Sequence, residues 1–498
     1  MLNYAVNHTA AFLAGMPKKT RKAKGQFFVS AETARFMADM FDLSNIHQTV
    51  SILDPGTGTG ILSIALIERI SREYPNLQIH LTCYEVDSDV LPILKKNLTY
   101  IENLLNGKLE YQIIEEDYIL AQADSFNENL FSDALPSKYD YIISNPPYMK
   151  VARNHPSALA MSKVVHGAPN LYFLFAAMSL FNLNENAEMV YIIPRSWTSG
   201  AYFKAFREYL LTEGIIEQIH LFVSRDKVFS KEQVLQETII IKVKRSRQKS
   251  NTILITSSHS GNNFSNITKL SVPYNSIVSG EDMYVYLPTN KEELDIIKKI
   301  NTYQSTLPNE GLRMKTGIVV DFRQWNELRN SPGAHTLPLF YSQHIFNGRV
   351  NHHPSGKKYD WIVDEKPTLI QKSKNYVFIK RFTAKEEKRR LQCGIYSPKD
   401  FKEYKYIGTE NKINFVDRID GKEMDEKTTY GVFALLNSTL FDKYYRILNG
   451  STQVNSSEIN NIPIPPVSII KKIGEQVLNS DDLSTRNCDK IIAEVAYA

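Results

Sequence analysis

The first half of this 498-residue chain predicts a doubly wound α/β sheet, and the second half a mixed α+β domain. Three observations carry that expectation. Short β-branched runs alternate with segments of helical periodicity from about Gly25 to about Lys244, the rhythm of strands joined by crossover helices. A glycine-rich loop follows the first of these runs directly and opens a helix. The rhythm then stops, because residues 267–498 mix aromatics with basic clusters and show no such alternation. A sheet of this kind takes its ligand at the carboxyl ends of the strands.

Taken in order, Thr49–Leu53 reads as a buried strand and Ile61–Ile70 as a helix packed on it. Ile79–Tyr84, Tyr139–Ile143, Met189–Ile193 and Glu237–Val243 read as further strands. Lys242–Lys249 holds five basic residues and no acidic one, and closes the region. Residues 250–266 are rich in Ser, Asn and Thr and read as a linker. The expected division is therefore a catalytic domain over 1–249, a linker over 250–266 and a second domain over 267–498.

Hydrophobic residues at 43% and charged residues at 23% give a soluble globular balance, and the length exceeds what one core supports. The net charge of +5 is too mild to identify a polyanion partner by itself, so the placement of charge matters more. Three scattered cysteines, Cys83, Cys393 and Cys488, exclude a disulfide scaffold and fit a reducing compartment. The longest apolar stretch, Leu171–Phe181, is far short of the roughly 20 residues that span a bilayer. The basic cluster Lys18, Lys19, Arg21, Lys22, Lys24 follows a weakly apolar segment, the reverse of a signal peptide. A cytoplasmic protein without a membrane partner is expected. His344, His352 and His353 lack carboxylate or Cys partners at ligand spacing, so no metal is expected and these histidines read as surface or phosphate-contacting groups. Asp364-Glu365-Lys366 and Glu386-Glu387-Lys388 resemble the tail of a nuclease signature but lack its upstream half, so no built-in nuclease is expected.

The first chemical signal is Asp54-Pro55-Gly56-Thr57-Gly58-Thr59-Gly60 between a strand and a helix. Gly56, Gly58 and Gly60 let the backbone turn sharply and approach a ligand closely. Asp54 at the head of the loop suits a cationic amino acid moiety better than a pyrophosphate. Glu85 ends the second strand, followed by Val86, where an acid would hold both ribose hydroxyls. Asp117, beside Tyr118, could place a carboxylate near an exocyclic adenine amine. An adenosyl nucleoside with an amino acid tail, S-adenosylmethionine, satisfies all three acids. No Gly-Lys-Ser/Thr loop is present, which disfavours a nucleoside triphosphatase.

The second signal is a strand running straight into Asn145-Pro146-Pro147-Tyr148. Two prolines remove amide donors and fix the direction of the remaining carbonyls. The Asn145 side-chain oxygen and the Pro146 carbonyl can then accept both hydrogens of a planar amine, with Tyr148 offering a face for a flat ring. Such an amine is a poor nucleophile, because its lone pair is delocalised. Two acceptors draw its nitrogen toward tetrahedral geometry and localise that pair.

Gly25-Gln26-Phe27-Phe28, the Asp54 loop, Glu85, Asp117-Tyr118 and Asn145-Pro146-Pro147-Tyr148 together resemble the gamma class of N6-adenine DNA methyltransferases from restriction-modification systems, similar to the TaqI-like and BsuBI/PstI-like methylases. The motif order, cofactor first, catalysis next and recognition last, is the gamma order. The resemblance covers about residues 20–245 and implies a Rossmann-like S-adenosylmethionine-dependent domain followed by a target-recognition domain. It implies that Gly25, Gln26, Phe27 and Phe28 pack over the methionine end of the cofactor, with Asn145 also bordering it. It implies too that Phe229, in Val228-Phe229-Ser230, faces Tyr148 across an extruded adenine; ordinary core packing is the other reading of Phe229. Such an enzyme either accompanies a separately encoded cognate restriction endonuclease or acts alone; a monomer is expected because both hydrogens of one amine on one strand define an asymmetric task.

A duplex adenine has to leave the stack to reach a cofactor, and the rest of the chain must then hold the DNA. Lys372–Arg390 carries eight basic and two acidic residues interleaved with aromatics, which marks Lys372, Lys374, Lys380 and Arg381 for phosphate contact. Arg323, Arg349 and Gln453 have side chains suited to base edges. Three other readings stay open: methylation of a protein glutamine amide, methylation of an RNA adenine, and a binding-only DNA recognition subunit.

Overall fold

The structure, a computed structural model, describes residues 1–15, 29–44, 46–128, 137–222, 237–248, 250–261, 263–354, 356, 359–384 and 386–496. Gly25, Gln26, Phe27, Phe28, Phe229 and the basic cluster at Lys18–Lys24 lie outside the described residues. The chain forms two compact units, Met1–Asn290 and Lys291–Ala498.

Among the described residues the first unit is built on a nine-stranded sheet: β1 (Thr49–Pro55), β2 (Gln78–Tyr84), β3 (Leu109–Ile114), β4 (Tyr139–Ser144), β5 (Leu183–Pro194), β6 (Gly214–Phe222), β7 (Thr238–Arg245), β8 (Thr252–Ser258) and β9 (Thr268–Pro273). Their order across the sheet is β3-β2-β1-β4-β5-β7-β6-β8-β9. β1 to β5 pair in parallel, whereas β7 runs antiparallel between β5 and β6. The doubly wound expectation holds. Val50, Ile52 and Leu53 are buried on both faces of β1, as a central parallel strand demands. The helix Ile61–Glu73 lays Ile64, Leu66, Ile67 and Ile70 on the sheet. The helix Leu171–Asn182 is apolar nearly all round, and almost all of it is buried.

The expected linker over 250–266 is instead part of this sheet. β8 pairs parallel with β6 and antiparallel with β9, so the division falls at Asn290/Lys291 rather than across 249–267. Ile253 and Ile255 bury inward, while the Thr256 and Ser258 hydroxyls bond the two ring nitrogens of buried His220 at 2.9 and 3.0 Å. A Ser/Thr-rich segment is a good strand when its hydroxyls find partners. The basic run beginning at Lys242 also turns inward. Buried Lys242 ion-pairs with Glu188 at 2.9 Å and Glu217 at 3.0 Å, and Arg247 with Glu213 at 3.1 Å. Arg245 donates to the Leu183 carbonyl at 2.8 Å. Lys242 and Arg245 are thus engaged within the fold rather than offered to a phosphate, while Arg247 stays exposed.

The second unit combines a six-stranded and a five-stranded sheet with helices, the mixed α+β class expected. Its helices Glu426–Asn437 and Val467–Ser480 pack backbone to backbone: a Cβ on Gly431 would fall 2.0 Å from the Ile470 carbonyl oxygen.

Candidate active site at the carboxyl ends of the parallel strands

β1 delivers Asp54 to the end of the sheet, and the loop after it turns through three left-handed glycines with φ of 69° at Gly56, 60° at Gly58 and 84° at Gly60. Only glycine takes that succession without strain. At Gly56 a Cβ would also come 3.3 Å from the Phe175 ring. Thr57 donates its amide to the Tyr84 carbonyl at 3.0 Å, which ties the loop to the end of β2. Ser144, at the end of β4, donates to the Pro55 carbonyl at 2.7 Å. The two motifs singled out in the sequence are therefore joined by one hydrogen bond between neighbouring strand ends.

A cavity of about 490 Å³ lies between them, within the range of small-molecule sites. Its wall includes Asp54, Gly56, Gly58, Glu85, Val86, Asp117, Tyr118, Asn145 and Pro147. Asp54 is only 1% exposed, and Ser63 donates to its Oδ2 at 2.9 Å. Burial pushes its carboxyl well above the ordinary carboxylate range, and Glu85 nearby adds to the rise. Glu85 accepts backbone amides from Gly58 at 2.7 Å and Asp87 at 2.8 Å, one on each carboxylate oxygen. Those bonds fix its orientation, while burial raises its pKa. Asp117 caps the short helix Tyr118–Ala121 by accepting from the Leu120 amide at 3.0 Å. Tyr118 sends its hydroxyl into the core, donating to Asn182 Oδ1 at 2.8 Å, and turns its ring to the cavity.

Three further predicted residues among those described, Gly60, Pro146 and Tyr148, flank the residues of the wall in sequence. Pro146 is buried behind Asn145, and Gly60 caps the helix Ile61–Glu73. Tyr148 is held by its hydroxyl, which donates to the Ile192 carbonyl at 2.9 Å, and its ring stands edge-on to Tyr172 with centroids 6.3 Å apart. Burial pushes its phenol well above the usual range, so it stays neutral. Phe175, Glu116, Thr57 and Met149 also line the cavity and were not anticipated. Phe175 lies inside a continuous apolar helix, where nothing in the local pattern marks one ring as ligand-facing.

The cavity fits an adenosyl nucleoside with an amino acid tail. A buried carboxylate at Asp54 suits an ammonium group, an oriented carboxylate at Glu85 suits a vicinal diol, and the glycine cradle excludes side chains from the floor.

In the second unit, four loops meet. Arg381 donates to the Asn411 carbonyl at 2.9 Å, and Asn411 donates its amide to the Val319 carbonyl at 2.8 Å. Phe382 pairs with Gln453 in an antiparallel bridge. With its amide oxygen turned toward Arg381, Gln453 accepts from Nη2 at 2.7 Å. Arg323 lies over the ring of Phe322, 5.6 Å from its centroid, and that ring is 73% exposed. Arg323, Arg381 and Gln453 thus belong to one loop cluster, while Lys380 ends the strand leading into it. Lys372 is exposed on its own short strand. Arg349 pairs with Asp481 at 3.1 Å. Lys374 is a correction: it is 8% exposed, ion-paired to Asp417 at 2.7 Å and bonded to the Gly421 carbonyl at 2.9 Å. A lysine so neutralised holds a turn and cannot reach a phosphate. His344 is likewise fully buried rather than superficial, accepting the Tyr341 amide at 3.0 Å.

The model of the Eco57I restriction-modification methylase family matches residues 65–229. The Type II methyltransferase M.BsuBI of Bacillus subtilis is 32% identical over 469 residues, covering 93% of this chain and 91% of that protein. The chain belongs to the Type II restriction-modification methyltransferases. The Type II methyltransferase M.PstI of Providencia stuartii is also 32% identical, over 92% of this methyltransferase and 90% of its own length. A solved structure of the Type IIL restriction-modification enzyme MmeI in complex with DNA shares the fold of this methyltransferase, with a TM-score of 0.59 at 13% identity, over 99% of this chain and 79% of that one.

Proposed function

We propose that this methyltransferase transfers a methyl group from S-adenosylmethionine to the N6 amine of an adenine extruded from a specific duplex DNA sequence, protecting that sequence from a cognate restriction endonuclease. The observation that carries the reading is the junction of Asn145-Pro146-Pro147-Tyr148 with the acid-lined cavity, joined through Ser144 and Pro55. Asp54 pairs with the ammonium of the bound amino acid, Glu85 takes the ribose hydroxyls, and Asp117 faces the adenine edge. When bound, the cofactor supplies an electrophilic methyl on a sulfonium.

Asn145 and the Pro146 carbonyl accept the two amine hydrogens and localise the nitrogen lone pair toward that methyl. Tyr148, anchored at its hydroxyl, keeps its ring fixed for stacking without spending rotamer freedom on binding. Arg323, Arg381, Gln453, Lys372 and Lys380 of the second unit hold and read the duplex, and one copy of the chain suffices for one amine on one strand.

The test is Asn145→Ala. Methyl transfer to DNA falls by about a hundredfold to a thousandfold while cofactor affinity stays close to wild type. Turnover near wild type removes the mechanism. Sequencing of DNA from a methylation-deficient bacterium expressing the chain reads out the modified base and its context; modified peptide or RNA with unmodified DNA replaces the substrate.

A further inference from the structure

From Tyr141 to Asn184 the chain carries no Asp or Glu, although Lys150, Arg153 and Lys163 fall within that stretch, and Met189–Arg207 carries none either. The fold brings parts of both stretches to one surface beside the Asn145–Tyr148 loop. Val151 donates its amide to the Pro169 carbonyl at 2.8 Å and Leu171 to the Met149 carbonyl at 2.8 Å, with Lys150 and Asn170 bridged between them. This short ladder fixes Lys150 where the loop ends.

The Lys150 ammonium lies 6.0 Å from the ring centroid of Tyr202, which is 61% exposed. Beneath that ring is Gly167, at φ 95°, where a Cβ would come 2.8 Å from Tyr202 Cδ1 and 3.6 Å from Arg153 Nη2. The ring therefore rests on bare backbone, with the Lys150 ammonium over it and the Arg153 guanidinium close to the same glycine. Among the described residues no ion pair joins Lys150 or Arg153 to a carboxylate. This differs from the run at Lys242, whose charge is met by Glu188 and Glu217.

We infer that Lys150, Arg153 and Tyr202 form a strand clamp: the two cations take phosphates of the DNA strand that carries the extruded nucleotide, and the tyrosine ring packs against a sugar and base beside it. The inference rests on the DNA reading above. Extrusion rotates a nucleotide about its own backbone, so the phosphates on either side must be held while the base travels to Asn145. Lysine and arginine supply charge without sequence preference, and an exposed ring flanked by cations is the surface that takes an unstacked nucleotide. The three are positioning residues and touch no reacting atom.

The experiment compares full-length wild type with Tyr202→Ala, Tyr202→Phe and the double variant Lys150→Ala/Arg153→Ala. Binding to a fluorescein-labelled duplex is followed against salt, and methylation of unmethylated genomic DNA gives kcat and KM. The double variant lowers the slope of log affinity against log salt by about 2, one phosphate for each cation removed. Tyr202→Ala raises KM for DNA about tenfold, Tyr202→Phe restores it, and kcat at saturating DNA and cofactor affinity do not move. Wild-type slope and KM in every variant overturn the clamp and leave DNA methylation standing. A wild-type chain that modifies RNA or peptide and no DNA overturns the clamp together with the reading beneath it.

Discussion

A carboxyl group buried as Asp54 is, with the hydroxyl and amide of Ser63 as its donors, resists ionisation until a cation arrives. The sign of the consequence follows directly. The raised pKa of the ligand-free protein means that Asp54 binds a proton above the ordinary carboxylate range, and an ammonium ligand favours the ionised form. On the proposed reading, binding of S-adenosylmethionine releases a proton and tightens as pH rises through that raised pKa. Calorimetry in buffers of different ionisation enthalpy measures the release; heats independent of buffer would contradict it. Asp54→Asn removes the pH dependence and weakens binding by at least tenfold, on the order of 1.4 kcal/mol. Glu85 is less extreme despite a pKa raised in the same direction, because the backbone amides of Gly58, Val86 and Asp87 favour its charge, against one amide and one hydroxyl of Ser63 at Asp54. The sequence marked both acids by their places at strand ends, yet could not tell them apart: their difference lies in who donates to them. Tyr118 shows the same limit. It was marked as a ligand residue, but only the fold reveals that its hydroxyl belongs to the core and its ring to the cavity.

Among the elements, β6 and β8 are joined through one imidazole. His220 on β6 bonds Thr256 and Ser258 on β8 and has its pKa lowered to about 3 by burial. The unfolded chain titrates this histidine near the ordinary 6.5, so the folded state binds fewer protons between those values. The stability it contributes is complete above pH 6.5 and is lost as pH falls toward 3. His220→Gln, which keeps a polar partner for the hydroxyls, gives a flatter fall of the urea midpoint between pH 6.5 and 4 than wild type; an identical fall in both proteins rejects the assignment. This element also explains the misread linker. A window of Ser, Thr and Asn reads as a connector because its partners, His220 and the hydroxyl of Thr268 against Ser257, are distant in sequence. The strands β1, β4, β5 and β7 were legible for the opposite reason: each carries a short run of buried apolar residues, which is a local property.

Across the whole molecule, the two units divide the labour that the proposal requires. Arg323→Ala, in the loop cluster of the second unit, broadens the set of sequences methylated, with discrimination at one position falling by about 1–3 kcal/mol. Asp54→Asn slows methylation at every site at subsaturating cofactor and leaves the sequence profile unchanged. Single-molecule sequencing of DNA from cells expressing each variant separates the two effects; a changed profile in Asp54→Asn, or an unchanged one in Arg323→Ala, breaks the division. Here the sequence was least informative. Lys372, Lys374, Lys380 and Arg381 looked equivalent as a basic run, but Asp417 neutralises Lys374 and Gln453 engages Arg381. Charge on a surface is a property of what the fold leaves unmatched, and no window of residues records that.

The antiparallel strand β7 has a consequence for how the chain is made. β5 is complete by Pro194, but its second neighbour, Thr238–Arg245, is translated much later and is, among the described residues, the strand that covers that edge. During synthesis, Met189–Ile193 waits as an apolar edge open to any other strand, the circumstance in which nascent chains pair wrongly. A ribosome stalled between these strands yields a product whose glycine loop and Asn145 are already made but whose sheet cannot close. Recovery of full-length protein would then depend on slow passage through this interval being avoided, so that rare codons placed between Pro194 and Thr238 send more of the product into inclusion bodies than the same codons placed after Arg245.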